Sequence, residues 1–231
     1  MFYLEGLVGA KEFEKFFRDW IVSHRFKSMR TESFQEFFRS SFGEETYKKI
    51  DWNGWLHTPG LPPVDVISTM DDTLAREARD LAQKWVEVDK SADLSASPSV
   101  ELFNKLTVNQ KVHFLEEIVS RKPEGFSSAT LAAMGEAYDM GNIVNSEIRM
   151  TWLTLCLTSK DMSCFPQVEQ FVASQGRQKF VRPMYRLMAK CGPEGLQKAQ
   201  TLFEEHRSYY HNIASKMIAQ DLQKIVSAQN E

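Results

Sequence analysis

Three cations fall within six residues, Arg177, Lys179 and Arg182, in the stretch Gln175-Gly176-Arg177-Gln178-Lys179-Phe180-Val181-Arg182-Pro183. Glycine is the residue type that closes a helix in a left-handed conformation. Proline is tolerated in the first turn of a helix, where its missing N–H costs nothing. The order Gly176 then Pro183 therefore predicts a helix-to-helix corner, with Arg177 and Lys179 beside the free N–H groups of a helix start. Such a corner suits an anion, and a carboxylate best, because a guanidinium grips both oxygens through parallel hydrogen bonds. The alternative is a solvated basic loop.

Other chemistry is hard to find. The five histidines are His24, His57, His113, His206 and His211, and none opens an HExxH zinc signature. His113-Phe114-Leu115-Glu116-Glu117 lacks the second histidine of the inverted signature. His206 and His211 are five apart, a spacing that turns them away from each other on a helix. No GxSxG and no glycine-rich phosphate loop occurs. Cys156, Cys164 and Cys191 form no CxxC pair and sit among apolar neighbours, which favours reduced packing residues over nucleophiles. Asp71-Asp72 and Glu204-Glu205 read as helix-start and solvent-face charges.

The elements that must position the corner are helices. Phe13, Phe16, Phe17, Trp20 and Ile21 recur at three and four over 11–25, and Phe34, Phe37, Phe38 and Phe42 follow a cap at Thr31 or Ser33. The run 51–63, with Pro59-Gly60 and Pro62-Pro63, breaks the helical pattern. Helices then resume. Asp71 and Asp72 open one with Leu74, Ala78, Leu81, Trp85 and Val88 on a face. Thr107 with Gln110 forms a capping box ahead of Val108, Val112, Leu115 and Val119. Further helices carry Leu131, Met134 and Tyr138, then Ile148, Trp152, Leu155 and Cys156 behind Asn145 or Ser146. The last four cover about 163–174, 179–190, 196–206 and 213–226. Consecutive helices with short links stack as antiparallel pairs, as a bundle or a solenoid, and no sequence period selects a repeat family. The expectation is an all-α, irregular two-layer stack.

Composition limits the partners. A chain of 231 residues with 42% hydrophobic and 12% aromatic content can bury a substantial core in one or two domains. A net charge of -3 leaves no footprint for nucleic acid and no polybasic membrane patch. No apolar run is long enough to cross a bilayer, and Met1 to Ala10 lacks the pattern of a signal peptide, so the expected location is cytoplasmic. The apolar opening Met1-Phe2-Tyr3-Leu4 reads as the last turns of a helix that begins earlier.

Phe2-Tyr3-Leu4-Glu5, Asp51-Trp52-Asn53-Gly54-Trp55-Leu56, Pro59-Gly60-Leu61-Pro62-Pro63, Asn145-Ser146-Glu147-Ile148-Arg149 and Gln175-Gly176-Arg177-Gln178-Lys179-Phe180 resemble, in order, the leukotriene A-4 hydrolase and aminopeptidase B family of zinc aminopeptidases. The resemblance implies that 1–58 is the end of a thermolysin-like catalytic domain, 59–68 a proline-rich linker, and 69–231 the armadillo-like carboxy-terminal helical domain. It places the family's substrate-carboxylate anchors at Arg177 and Lys179. Arginine at 177 favours the hydrolase branch, since the aminopeptidase B branch carries lysine there. Arg182 matches a family arginine without an assigned role.

The family's HExxH with its downstream glutamate, its glycine-rich substrate motif and its assisting tyrosine are absent from this sequence. The resemblance therefore implies a fragment that binds no cofactor itself, with zinc in the missing catalytic domain and no catalytic residues here. It would supply the scaffold and carboxylate anchor for amino-terminal peptide cleavage, or for a lipid epoxide's carboxylate. The alternative is a free-standing helical interaction module without catalysis. The cluster Phe13, Phe16, Phe17, Trp20, Phe34, Phe37 and Phe38 separates the two. It would be largely bare unless a catalytic domain, a second copy or another protein covers it.

Overall fold

The computed structural model describes residues 1–229, and among them every regular element is a helix. Packing divides the chain into two units, Met1–Asp71 and the residues from Asp72 onward.

The first unit holds α1 (Phe2–Val8), α2 (Ala10–Ser23), α3 (Thr31–Lys48) and α4 (Trp52–Leu56). The three-and-four spacing turns Phe13, Phe16 and Trp20 inward, where Leu4, Phe38 and Ile50 join them. The Phe16 ring lies 5.1–5.8 Å from those of Phe13, Phe34, Phe37, Phe38 and Phe42. This corrects the expectation of a bare aromatic cluster. Phe13, Phe16, Trp20 and Phe38 are buried by their own unit, and of the seven only Phe17 is exposed. The bare apolar residues are others, among them Ile21, Val22 and Phe26, the last 95% exposed. Two local expectations also change. Neither Thr31 nor Ser33 caps α3, which begins at Thr31 with Arg30 in the cap position and no side-chain acceptor. The break expected over 51–63 starts only at His57, because Asp51 accepts the Gly54 amide at 2.8 Å and caps α4.

The second unit contains α5 (Thr73–Ser91), α6 (Val100–Lys105), α7 (Val108–Arg121), α8 (Ser128–Ala137), α9 (Ser146–Thr158), α10 (Phe165–Ser174), α11 (Gln178–Ala189), α12 (Gly192–His206) and α13 (Asn212–Gln229). The short α6 carries no periodicity that sequence reading could use. Helices α5, α7, α9, α11 and α13 pack side by side as one layer, while α8, α10 and α12 return the chain across a second. Cross-links give the directions. Gln110 near the start of α7 donates to Leu74 O near the start of α5, and Lys122 after α7 pairs with Asp89 near the end of α5. Lys179 and Glu147 join the starts of α11 and α9, while Cys191 Sγ donates to Leu157 O near their ends. The helices of the first layer thus run parallel, and their amino termini share one edge.

Between the layers lies a continuous core that includes Trp85, Phe114, Leu153, Phe171, Val181 and Tyr185. Two hydrogen bonds match polar groups inside it: Trp85 Nε1 donates to Tyr138 Oη at 2.8 Å, and the Tyr185 and Tyr210 hydroxyls lie 2.9 Å apart. Leu74, expected on the buried face of α5, is 62% exposed. Gly195 allows α12 to close on α11, since a Cβ there would fall 2.4 Å from Met188 O.

Between Leu56 and Ile67 the backbone forms no regular element, and Leu61 is 94% exposed. On the domain division proposed from sequence, limited proteolysis cuts within 58–68 and leaves a helical core from about residue 69. Cuts spread through both halves, with helicity lost together, would contradict that division.

Candidate carboxylate-binding site

Arg177 occupies the position just before α11, with extended φ −75° and ψ 127°. Its carbonyl accepts the amides of Phe180 and Val181 at 2.9 and 3.1 Å. The amides of Gln178 and Lys179 meet no acceptor among the described residues. Other starts along this edge carry their own acceptors: Thr107 Oγ1 for α7, Asn145 Oδ1 for α9 and His211 Nδ1 for α13. An arginine in this place brings no acceptor, and its charge faces the positive end of the helix. An anion placed here would meet hydrogen-bond donors from both the amides and the guanidinium.

The corner forms without the two signals expected to make it. Helix α10 ends at Ser174 because Gln175 is extended (φ −120°, ψ 140°), and Gly176 does not take the left-handed conformation. Gln175 Nε2 instead donates to Ser146 Oγ at 3.2 Å, tying the loop to the start of α9. Pro183 lies inside α11, one turn past the expected place, where packing overrides the local cost of a missing N–H.

Lys179 Nζ lies 2.7 and 2.6 Å from the two carboxylate oxygens of Glu147 in the first turn of α9. Arg182 grips Asp221 through Nε at 2.6 Å and Nη2 at 3.1 Å, with Arg186 Nε 3.8 Å from the same carboxylate. Arg149 donates to Gln170 at 2.6 Å. Of Arg149, Arg177, Lys179, Arg182 and Arg186, Arg177 alone makes no side-chain hydrogen bond or ion pair among the described residues. Its guanidinium rests 5.4 Å from the Phe180 ring centre, and Lys179 Nζ lies 5.5 Å from the same ring.

Sequence reading named Arg177 and Lys179 but gave no role to Glu147 or Asp221. Each stands 32 or 39 residues from its partner, so only the parallel layer brings them together. All three cysteines are free and buried. The neighbouring Cys164 thiol and burial push Cys156 up, and burial pushes Cys191 up to about 11, so both hold their protons. Among the described residues no three His, Cys, Asp or Glu side chains converge as a metal-ligand group.

The architecture defines a class first: a two-layer stack of antiparallel helix pairs with a cationic corner at one edge. Residues 106–222 match the family model described as leukotriene A4 hydrolase, C-terminal. The chain belongs to that family. It is 36% identical over 225 residues to leukotriene A-4 hydrolase of Xenopus laevis and 32% identical over 227 residues to leucine aminopeptidase 2 of Aspergillus fumigatus, each alignment covering 96% of this chain. It spans about a third of those relatives' length, 36% and 35% respectively. Native leukotriene A4 hydrolase of Saccharomyces cerevisiae superposes with a TM-score of 0.83 at 25% identity, covering 96% of this chain and 37% of that one. No helix among the described residues is long and apolar enough to cross a membrane.

The Arg182 guanidinium holds the Asp221 carboxyl below the usual carboxylate range. The pair therefore stabilises the fold above the unfolded value of about 3.9 and loses that contribution as pH falls through the lower, folded value. Asp221→Asn is expected to lower stability by about 1–2 kcal/mol at neutral pH, discounted for the partly exposed guanidinium. In urea unfolding, the gap between variant and parent should narrow as pH drops from 7 toward about 3. A gap that stays constant would mean the loss is one of shape alone.

Proposed function

We propose that this chain is the substrate-anchoring part of a zinc aminopeptidase, with Arg177 and Lys179 holding the free carboxylate at the far end of a short peptide. The observation that carries the reading is the Arg177 guanidinium, which makes no hydrogen bond or ion pair among the described residues and lies beside the unmatched amides of Gln178 and Lys179. Such a site grips both oxygens of a carboxylate and fixes how far the peptide reaches back toward the reacting bond. It contributes by orientation and performs no bond-making itself. A fatty-acid carboxylate fits the same groups, and a lipid epoxide is the second substrate class on this reading. Zinc supplies the hydrolytic chemistry from a peptidase domain whose ligands are not residues of this chain. That domain is also the proposed cover for the exposed apolar residues Ile21, Val22 and Phe26.

The test places this chain behind a peptidase domain of the same family and compares tripeptides with their carboxy-terminal amides. Arg177→Ala is expected to reduce kcat/KM for the acids at least about thirtyfold, the lower end of the loss for truncating one partner of a charge-assisted pair. Lys179→Ala should cost less, because a point charge replaces no rigid fork. The amides should be poor substrates throughout and change little. Equal losses for acids and amides would return Arg177 to a solvated loop.

A further inference from the structure

On the carboxylate-anchor reading, the Glu147–Lys179 contact raises a question of charge. We propose that Glu147 limits the charge the site accepts. By pairing with Lys179 it leaves the trio Arg177, Lys179 and Glu147 with one net positive charge, which selects a ligand ending in a single carboxylate over one ending in two.

Glu147 is held in place from its own helix. Asn145 Oδ1 accepts the Glu147 and Ile148 amides at 3.0 and 3.3 Å, which fixes the first turn of α9 and aims the carboxylate along the shared edge. The Gln175–Ser146 bond brings the loop before α11 onto that turn. Both carboxylate oxygens then meet Lys179 Nζ. The nearby anion Asp221 is already committed to Arg182 and Arg186 and offers Lys179 nothing.

An exposed ion pair on a bare surface has little consequence. Here the side chains are 53% and 39% exposed, so an incoming anion reaches both partners and must contend with both. One carboxylate at Arg177 neutralises the trio. A second carboxylate on the same ligand meets Glu147 with no cation of the trio left over. Lys179 is on this account a moderated cation, and the difference in grip between it and Arg177 follows from the counter-ion as well as from the head group.

The test uses this chain and three probes at low ionic strength: tri-alanine, its carboxy-terminal amide, and Ala-Ala-Asp, whose last residue carries two carboxylates. Binding is read by NMR from the Arg177 and Lys179 backbone amides. Glu147→Gln is expected to tighten tri-alanine about threefold and Ala-Ala-Asp about tenfold, with both gains fading at about 0.5 M salt. Glu147→Asp, which keeps the charge, should keep the parent's ranking of the probes. Lys179→Met reports independently should Glu147→Gln fold poorly. With its cation gone and Glu147 retained, it should exclude Ala-Ala-Asp more strongly than tri-alanine.

A Glu147→Gln protein that prefers acid to amide yet ranks tri-alanine and Ala-Ala-Asp as the parent does would overturn the role of Glu147 and leave the anchor standing. Weaker binding of both acids in that variant would show that Glu147 merely holds Lys179 in position, and would also overturn the proposal. No preference of the parent or the variant for acid over amide would remove the anchor reading, and this inference with it.

Discussion

Helices α5, α7, α9, α11 and α13 run in one direction because the chain crosses back through the other layer before each rejoins the first. Their amino termini therefore collect along one edge, and each brings unpaired amides and the positive end of a helix dipole. Most of the edge is neutralised locally, by Thr107, Asn145 and His211 at their own helix starts. The start of α11 differs from these three. It has an arginine where an acceptor belongs, and on the proposed reading that break in the local rule serves an external anion.

The neighbours of that position are arranged around it. Arg182 and Arg186 share Asp221 and cross-link α11 to α13. Lys179 shares Glu147 and cross-links α11 to α9. Phe180, buried beneath Arg177 and Lys179, gives both cations an apolar floor, and Phe171 meets it edge-on at 5.8 Å. Contact with a packed ring narrows the conformations open to both cations. Less conformational freedom remains to be lost on binding.

The helical class, the capping box at Thr107 and the cap at Asn145 or Ser146, which the structure assigns to Asn145, were legible because each depends on residues within four of one another. The corner at 175–177 was legible in place but not in cause. Gly176 and Pro183 looked like its punctuation, whereas the turn is set by an extended Gln175 tied to Ser146 on another helix. Long-range pairings such as Lys179–Glu147 and Arg182–Asp221 have no signature in spacing, because they depend on which helices become neighbours. For the same reason burial of the aromatic cluster was misjudged. Periodicity shows which face of α2 is apolar, but not that α3 supplies enough rings to cover Phe16 and Trp20 within the same unit.

The central claim is that the start of α11 is an incomplete helix terminus which a carboxylate completes. A crystal structure of this chain with tri-alanine tests it most directly. The account predicts the peptide's terminal carboxylate against the Arg177 guanidinium, within hydrogen-bond reach of the Gln178 or Lys179 amide, about 2.7–3.2 Å. Arg177 folded onto a carboxylate of its own chain, with the peptide absent or bound through its amino end, would contradict it.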